Sequence, residues 1–205
     1  MIRVLVADDH KIVRDGLKGI LAATADLQAA GEAASGDEAL ALVKANDYDV
    51  VMIDMSMPGL SGIDLIKRLK IEKPKLRILV LSMHGERQYA ARALKAGASG
   101  YLNKDRAAEM LVGALRKVAA GGMHITEATA ATLLQSSEKP PHETLSDREF
   151  EVLRLLVEGL GPTEIGDKLH LSVKTVSTHK TRILEKLGLG GTAELVRYAL
   201  DNKLV

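Results

Sequence analysis

Short apolar runs rich in β-branched residues alternate with helix-length amphipathic stretches through the first 120 residues. The runs occupy 2–7, 27–31, 50–53, 76–81 and 100–102. Between them the pattern predicts helices over 11–23, 37–46, 62–72, 86–96 and 106–120. Alternation of this kind predicts a parallel sheet with helices on both faces. The third run is apolar until it ends in Asp54, as a strand buried on both faces reads. Ser35-Gly36-Asp37-Glu38 has the form of a capping box and opens the second helix.

The pattern breaks at Gly121-Gly122, which ends the fifth helix. Residues 121–143 read as a linker carrying one small-residue helix at 126–136, closing in a polar, proline-containing stretch. Residues 144–205 are all helical. Ser146-Asp147-Arg148-Glu149 is a second capping box and opens a helix to Glu158. Gly159-Leu160-Gly161-Pro162 reads as a turn, followed by helices at 163–169, 173–187 and 192–202. The expected organisation is an α/β domain (1–120), a linker (121–143) and a small α-helical domain (144–205). No internal repeat is visible.

Composition narrows the classes of function. No apolar run approaches the roughly 18 residues a membrane span needs, and the acidic start lacks the form of a signal peptide. Cysteine is absent, which excludes disulfides and thiolate metal sites and fits a cytoplasmic location. A net charge of only +1 argues against non-specific coating of nucleic acid. Aromatics at 2% argue against base stacking on single strands.

The chemistry gathers at strand ends. Asp8 and Asp9 follow the first strand and Asp54 ends the third. If the sheet order is 2-1-3-4-5, strands 1 and 3 are neighbours and the three acids converge at the carboxyl edge. Carboxylates together repel and require a cation; their oxygens suit Mg²⁺, with Mn²⁺ an alternative. Asp54 then serves as an oxygen nucleophile toward a phosphoryl group. Lys104, after the fifth strand, supplies positive charge, and Ser82, ending the fourth, supplies a hydroxyl donor. Singly, Asp9 reads as a helix cap, Lys104 as a solvated lysine and Ser82 as a turn residue. Their joint order along the chain is what is specific. His10 reads as structural rather than as a ligand.

These residues resemble the receiver domain of two-component response regulators. The resemblance rests on Asp8-Asp9-His10, the run from Asp54 through Pro58-Gly59 with Gly62, Ser82, Ala96-Gly97-Ala98, and Gly100-Tyr101-Leu102 before Lys104. It implies a doubly wound, flavodoxin-like five-stranded sheet of order 2-1-3-4-5, and phosphorylation of Asp54 by a sensor histidine kinase. It further implies Mg²⁺ on Asp9, Asp54 and the Ser56 carbonyl, with Asp8 assisting through water. Ser82 and Tyr101 fall at the switch positions. Asp105 departs from the proline common after the lysine.

In the second domain, 163–187 reads as two helices joined around His170-Leu171-Ser172, with Ser172 as N-cap. Val176, Ile183 and Leu187 share a face, flanked by Val173 and Leu184, and should pack with Ile165, Leu169, Leu153 and Leu156. Lys174, Ser177, Thr178 and Thr181 face outward, with Thr175, Arg182 and Lys186 along one flank. From Thr144 onward nine basic residues balance nine acidic ones, so attraction to DNA must come from local arrangement. Charge alone leaves a merely solvated face as an equal alternative.

The pattern resembles the LuxR-type helix-turn-helix of the NarL/FixJ subfamily. The match runs through Leu145 to Glu149, Val152-Leu153, Glu158-Gly159, Glu164-Ile165, Leu169, Leu171-Ser172, Lys174-Thr175-Val176, His179, Ile183 and Lys186-Leu187. It implies that Lys174, Thr175, Ser177, Thr178 and Thr181 approach double-stranded DNA, with Lys180, Arg182 and Lys186 near the backbone. It also implies a homodimer when phosphorylated, with the last helix, within 189–204, contributing the contact. There Leu195, Tyr198 and Ala199 serve equally well as core. His179 borders the buried face, and the Lys180 stem packs while its head reaches water. Departures are Gly161-Pro162 in place of Ser/Thr-Asn, Ser177 and Thr181 where some relatives carry lysine, and Gly166 in place of alanine, at a cost of up to about 1 kcal/mol.

Three rival functions are distinguishable. A dehalogenase-type phosphatase places a second Asp two residues after its nucleophile, where Ser56 stands. A nucleotide-binding domain needs a glycine-rich first turn, where Ala7-Asp8-Asp9-His10 stands. A helical tail that binds only protein lacks the steep salt dependence of DNA binding. The expectation is a regulator, not an enzyme with turnover beyond its own phosphorylation and dephosphorylation, and no membrane partner.

Overall fold

The computed structural model describes residues 1–57, 59–60, 62–82, 87–104, 107–126, 129–130, 140–202 and 204. The chain divides into two compact units. In the first, strands β1 (Ile2–Ala7), β2 (Leu27–Ala33), β3 (Val50–Asp54), β4 (Arg77–Ser82) and β5 (Gly100–Asn103) form one parallel sheet of order β2-β1-β3-β4-β5. Helices α1 (Lys11–Ala22), α2 (Gly36–Ala45), α3 (Gly62–Glu72), α4 (Arg87–Lys95) and α5 (Ala107–Ala119) connect the strands and follow the last of them.

Burial explains the order. Every residue of β3 is buried, as its apolar run predicts. Alternate residues Val4, Val6, Val50, Met52, Leu79, Leu81 and Leu102 join Leu17 and Leu21 of α1 and Leu111, Leu115 and Val118 of α5 in one core. The intervening Leu5, Val51, Ile53, Ile78 and Val80 are equally buried and by alternation face the other side, where α2 packs on β1 and β2. The second strand runs two residues past its expected end because Val6 and Ala7 continue its pairing through Glu32 and Ala33. The chain after α5 also returns to the sheet: His124 bridges Gly100, and the Tyr101 N–H donates to its carbonyl at 2.9 Å. Expected linker thus covers the exposed edge of β5. Most of the helix expected at 126–136 lies outside the described residues, as does Asp105.

In the second unit a 3₁₀ turn (Pro141–Thr144) precedes α6 (Asp147–Val157), α7 (Pro162–Leu169), α8 (Val173–Leu187) and α9 (Thr192–Asp201). Ser146 and Glu149 form the expected reciprocal capping box. Phe150, Leu153, Ile165, Val176, Ile183, Leu195 and Ala199 make a fully buried core. The α7 helix starts at Pro162, not after it, since the proline ring already holds the dihedral of a first helical residue. Gly166 has a steric reason: a Cβ there would lie 2.7 Å from the Leu171 carbonyl oxygen, where the turn crosses α7. Val173 does not flank the core; it is 47% exposed at the start of α8. Among the described residues no helix is long and apolar enough to cross a membrane.

The start of α2 presses on the loop after β3. A Cβ on Gly36 would fall 1.5 Å from the Leu60 carbonyl oxygen, and Asp37 accepts the Leu60 N–H at 3.2 Å. Replacing Gly36 with alanine is expected to lower stability by about 2 kcal/mol through forced backbone displacement. A urea titration followed by circular dichroism measures it, and an unchanged midpoint for the first unit would contradict the close approach.

Candidate functional site

The edge formed by β1 and β3 gathers the predicted acids. Asp8 is fully buried, Asp54 is 3% exposed, and carboxylate oxygens of Asp8, Asp9 and Asp54 lie with a ring nitrogen of His10 within 4.8 Å of one another. Lys104, following β5, inserts its ammonium between them, 2.6 Å from Asp8 Oδ2 and 3.1 Å from Asp54 Oδ2. Its side chain is 11% exposed, so the pairing is shielded from water. Ser82 ends β4 and Tyr101 lies in β5, both buried. Ser56 is half-buried in the turn directly after Asp54.

Charge balance in this cluster is incomplete. Burial raises the Asp54 carboxyl above its ordinary value; Lys104 opposes this, while Asp8 and Asp9 add to it. Burial pulls the Lys104 ammonium down, but Asp8 and Asp54 outweigh it and leave it raised, hence charged. Three carboxylates therefore face one firmly protonated lysine. His10 stands outside the shielded pocket with its ring exposed, Nδ1 2.9 Å from Asp9 Oδ1. That approach is not along a hydrogen bond, and Asp9 Oδ1 is buried without a hydrogen-bond partner. An unsatisfied buried oxygen among hard, anionic oxygen donors fits a divalent Mg²⁺-type ion.

In the second unit Lys174, Ser177, Thr178, Thr181 and Arg182 are exposed along α8, as expected. Ser172 caps α8 by accepting the Thr175 N–H at 3.1 Å, and its hydroxyl also meets that of Thr175 at 2.8 Å. The cap therefore engages the Thr175 side chain. Thr178 and Thr181 donate their hydroxyl protons back to the carbonyls of Lys174 and Ser177, at 2.9 and 3.1 Å. Their outward oxygens then present acceptor lone pairs, matched to amino groups on base edges. Lys180 and His179 are half-buried. Burial chiefly lowers the His179 ring; Arg148 and Arg182 add to this and Glu149 opposes it, so the ring is neutral at neutral pH.

Sequence reasoning missed two supports of this face. Lys186 lies 2.6 Å from Glu149 Oε2, tying the recognition-type helix to the capping box of α6. Arg148 donates to the Leu169 carbonyl at 2.7 Å, closing the C-terminus of α7, and pairs with Glu151 at 2.7 Å. The capping box was readable as a local spacing; contacts 37 and 21 residues apart leave no such signal.

Comparison with known proteins agrees with both halves. Residues 4–116 match the family "Response regulator receiver domain", and residues 143–199 match "Bacterial regulatory proteins, luxR family". The response regulator UvrY of Escherichia coli O6:H1 is 35% identical over 209 residues, covering 100% of this chain and 96% of the relative. The oxygen regulatory protein NreC of Staphylococcus carnosus is 37% identical over 214 residues, covering 99% of each. A structure of RcsB from Salmonella enterica serovar Typhimurium, bound to promoter rprA with the phosphomimetic BeF₃⁻, aligns at TM-score 0.70 with 31% identity, covering 97% of this chain and 98% of that one.

Burial raises the Glu149 carboxyl, but hydrogen bonds from Lys186 and Ser146 outweigh it and hold it below its ordinary value. A depressed carboxylate stabilises above its unfolded value and loses that stabilisation as pH falls through the folded one. Wild type is therefore expected to exceed Glu149→Gln by about 1 kcal/mol at pH 7, discounted because Lys186 is partly exposed. The gap should begin to narrow below about pH 4.5, the ordinary glutamate value, and close as pH falls past the lower folded one. Thermal unfolding of both proteins from pH 7 to 3 tests this; a gap that persists in acid contradicts it.

Proposed function

The chain belongs to the two-component response regulators of the NarL/FixJ subfamily, a receiver joined to a LuxR-type DNA-binding domain, and we propose that phosphorylation of Asp54 by a sensor histidine kinase controls its binding to double-stranded DNA. The observation that carries this reading is the convergence of Asp8, Asp9 and Asp54 on one 4.8 Å cluster, bridged by Lys104. An Asp54 carboxylate oxygen attacks phosphorus, an acyl phosphate bond forms, and the bond to the kinase histidine breaks. Lys104, between Asp8 and Asp54, neutralises charge on the transferring oxygens, and the Ser82 hydroxyl donates to one of them. Asp9, Asp54 and the Ser56 carbonyl would hold Mg²⁺, with Mn²⁺ able to replace it, and Asp8 would assist. When bound, the ion supplies the remaining positive charge that three carboxylates and a phosphoryl group demand.

Phosphorylation biases a two-state receiver through Ser82 and Tyr101, and the output is dimeric, sequence-specific DNA binding. The protein is a regulator whose only catalysis is on its own aspartyl phosphate, and its target places it in the cytoplasm. Its receiver spans 1–120, its connector 121–143 and its DNA-binding domain 144–205. Lys174, Thr175, Ser177, Thr178 and Thr181 approach bases and nearby phosphates. Lys180 and Arg182 run along the backbone, joined by Lys186 through the part of its ammonium that Glu149 leaves open. The dimer contact falls to the outward face of α9, where Ala193, Arg197 and Leu200 are exposed while Leu195 and Ala199 are core.

Acetyl phosphate with Mg²⁺ is expected to label the wild type and not Asp54→Ala, detected as a mass increase of the intact protein. Labelled protein should bind its DNA more tightly than the unlabelled variant. Equal labelling of both proteins sinks the assignment of Asp54.

Loss of Lys174 should weaken DNA binding across sequences and reduce the slope of log affinity against log salt by about one. Titrations of Lys174→Ala at several salt concentrations read the slope, and an unchanged slope removes Lys174 from the phosphate contacts.

A further inference from the structure

Asp8 is held at each of its polar atoms. Its N–H donates to the Ala33 carbonyl at 3.1 Å, Oδ1 accepts the His10 N–H at 2.8 Å, and Oδ2 meets Lys104 at 2.6 Å. Its carbonyl accepts from Arg14 Nη1 at 2.7 Å. Asp9 has no such set: its buried Oδ1 lacks a hydrogen bond. Beyond the exposed His10 ring 2.9 Å from that oxygen, its placement depends on the backbone that carries it.

The Asp8 carbonyl belongs to the rigid peptide plane that joins Asp8 to Asp9. A donor fixed on that oxygen sets ψ of Asp8 and φ of Asp9, and so the direction in which the Asp9 carboxylate leaves the chain. Arg14 suits the task. Its side chain is only 12% exposed, and its planar fork donates in fixed directions. While Nη1 holds the Asp8 carbonyl, Nε lies 3.4 Å from Glu32 Oε2 on β2. Glu32 also takes Lys18 at 2.9 Å, and Lys18 reaches Asp15 at 2.9 Å. The guanidinium is thus braced between β2 and the loop from β1 to α1.

We propose that Arg14 is the positioning residue for the Asp9 side of the cation site: it aims that carboxylate at a divalent ion without touching the ion. The proposal rests on reading the acid cluster as a divalent-cation and phosphoryl site. Charge and positioning predict opposite signs. Removing a positive charge from the neighbourhood of the acid cluster would tighten binding of another cation, whereas removing a brace loosens it.

The test is a Mn²⁺ titration of the full chain, following the electron paramagnetic resonance signal of free Mn²⁺, with thermal unfolding in parallel. Arg14→Gln is expected to bind Mn²⁺ roughly tenfold more weakly, the size usual for groups that orient metal ligands. Acetyl phosphate labelling at saturating Mn²⁺ should stay near wild type, because affinity rather than chemistry is altered. Affinity equal to or tighter than wild type overturns the proposal. Should Arg14→Gln melt below the assay temperature, Arg14→Lys takes its place. Its ammonium lacks the planar fork that fixes two donor directions at once, so roughly threefold weaker binding is expected, and wild-type affinity there is equally decisive against the proposal. Failure of the wild type to bind Mn²⁺ has a different signature and removes the cation-site reading together with the role of Arg14.

Discussion

Adjacent parallel strands deliver their following residues to one edge of a sheet, whatever the charge on those residues. Here β1 and β3 deliver three carboxylates to a cluster 4.8 Å across, much of it closed to water. The ammonium of Lys104, brought from the far side of β4, lies within hydrogen-bonding reach of Asp8 and Asp54. The cluster remains negative, and its energy falls when more positive charge arrives. Burial and repulsion raise the Asp54 carboxyl, and a divalent cation relieves both at once. The pocket is thus prepared for a charged visitor by the strain that folding imposes on it.

The helical unit is built around a different compromise. A helix that meets DNA needs a polar outer face and a fixed angle. The core residues Val176, Ile183 and Leu187 bind it on one side only. Glu149 adds a polar restraint, caps α6 and pairs with Lys186, joining the first and third helices of the unit. Arg148, one residue earlier, closes α7 through the Leu169 carbonyl. Two successive residues at one helix start thereby orient two of the unit's other helices.

The parallel sheet, the acids at strand ends and the outward face of α8 were legible because each follows from periodicity or from residues at strand ends, whereas the strand order followed from the resemblance to receiver domains. Asp54 stood out because it closes an apolar run; Ser146 and Glu149 because capping obeys a fixed spacing. The return of His124 to the edge of β5 was not legible, since a single bridge has no period. Gly166 read as a helix weakness because its reason, the Leu171 carbonyl, lies in a chain crossing and not in local propensity. Val173 read as core because the helical wheel says nothing of where neighbouring helices end. Arg14 offered only an arginine on an amphipathic helix; its meaning lies in a carbonyl six residues back.

The segment read as linker ends with a side chain that is anything but loose. His142 is 1% exposed, and its Nδ1 lies 2.9 Å from the Tyr198 hydroxyl on α9. Where the chain arrives in the second unit and where it leaves are therefore one mechanical piece. The same turn also packs directly on α8, so a pull on the incoming polypeptide would reach the outgoing helix, the one proposed to form the seam between subunits, and the outward-facing helix α8 together.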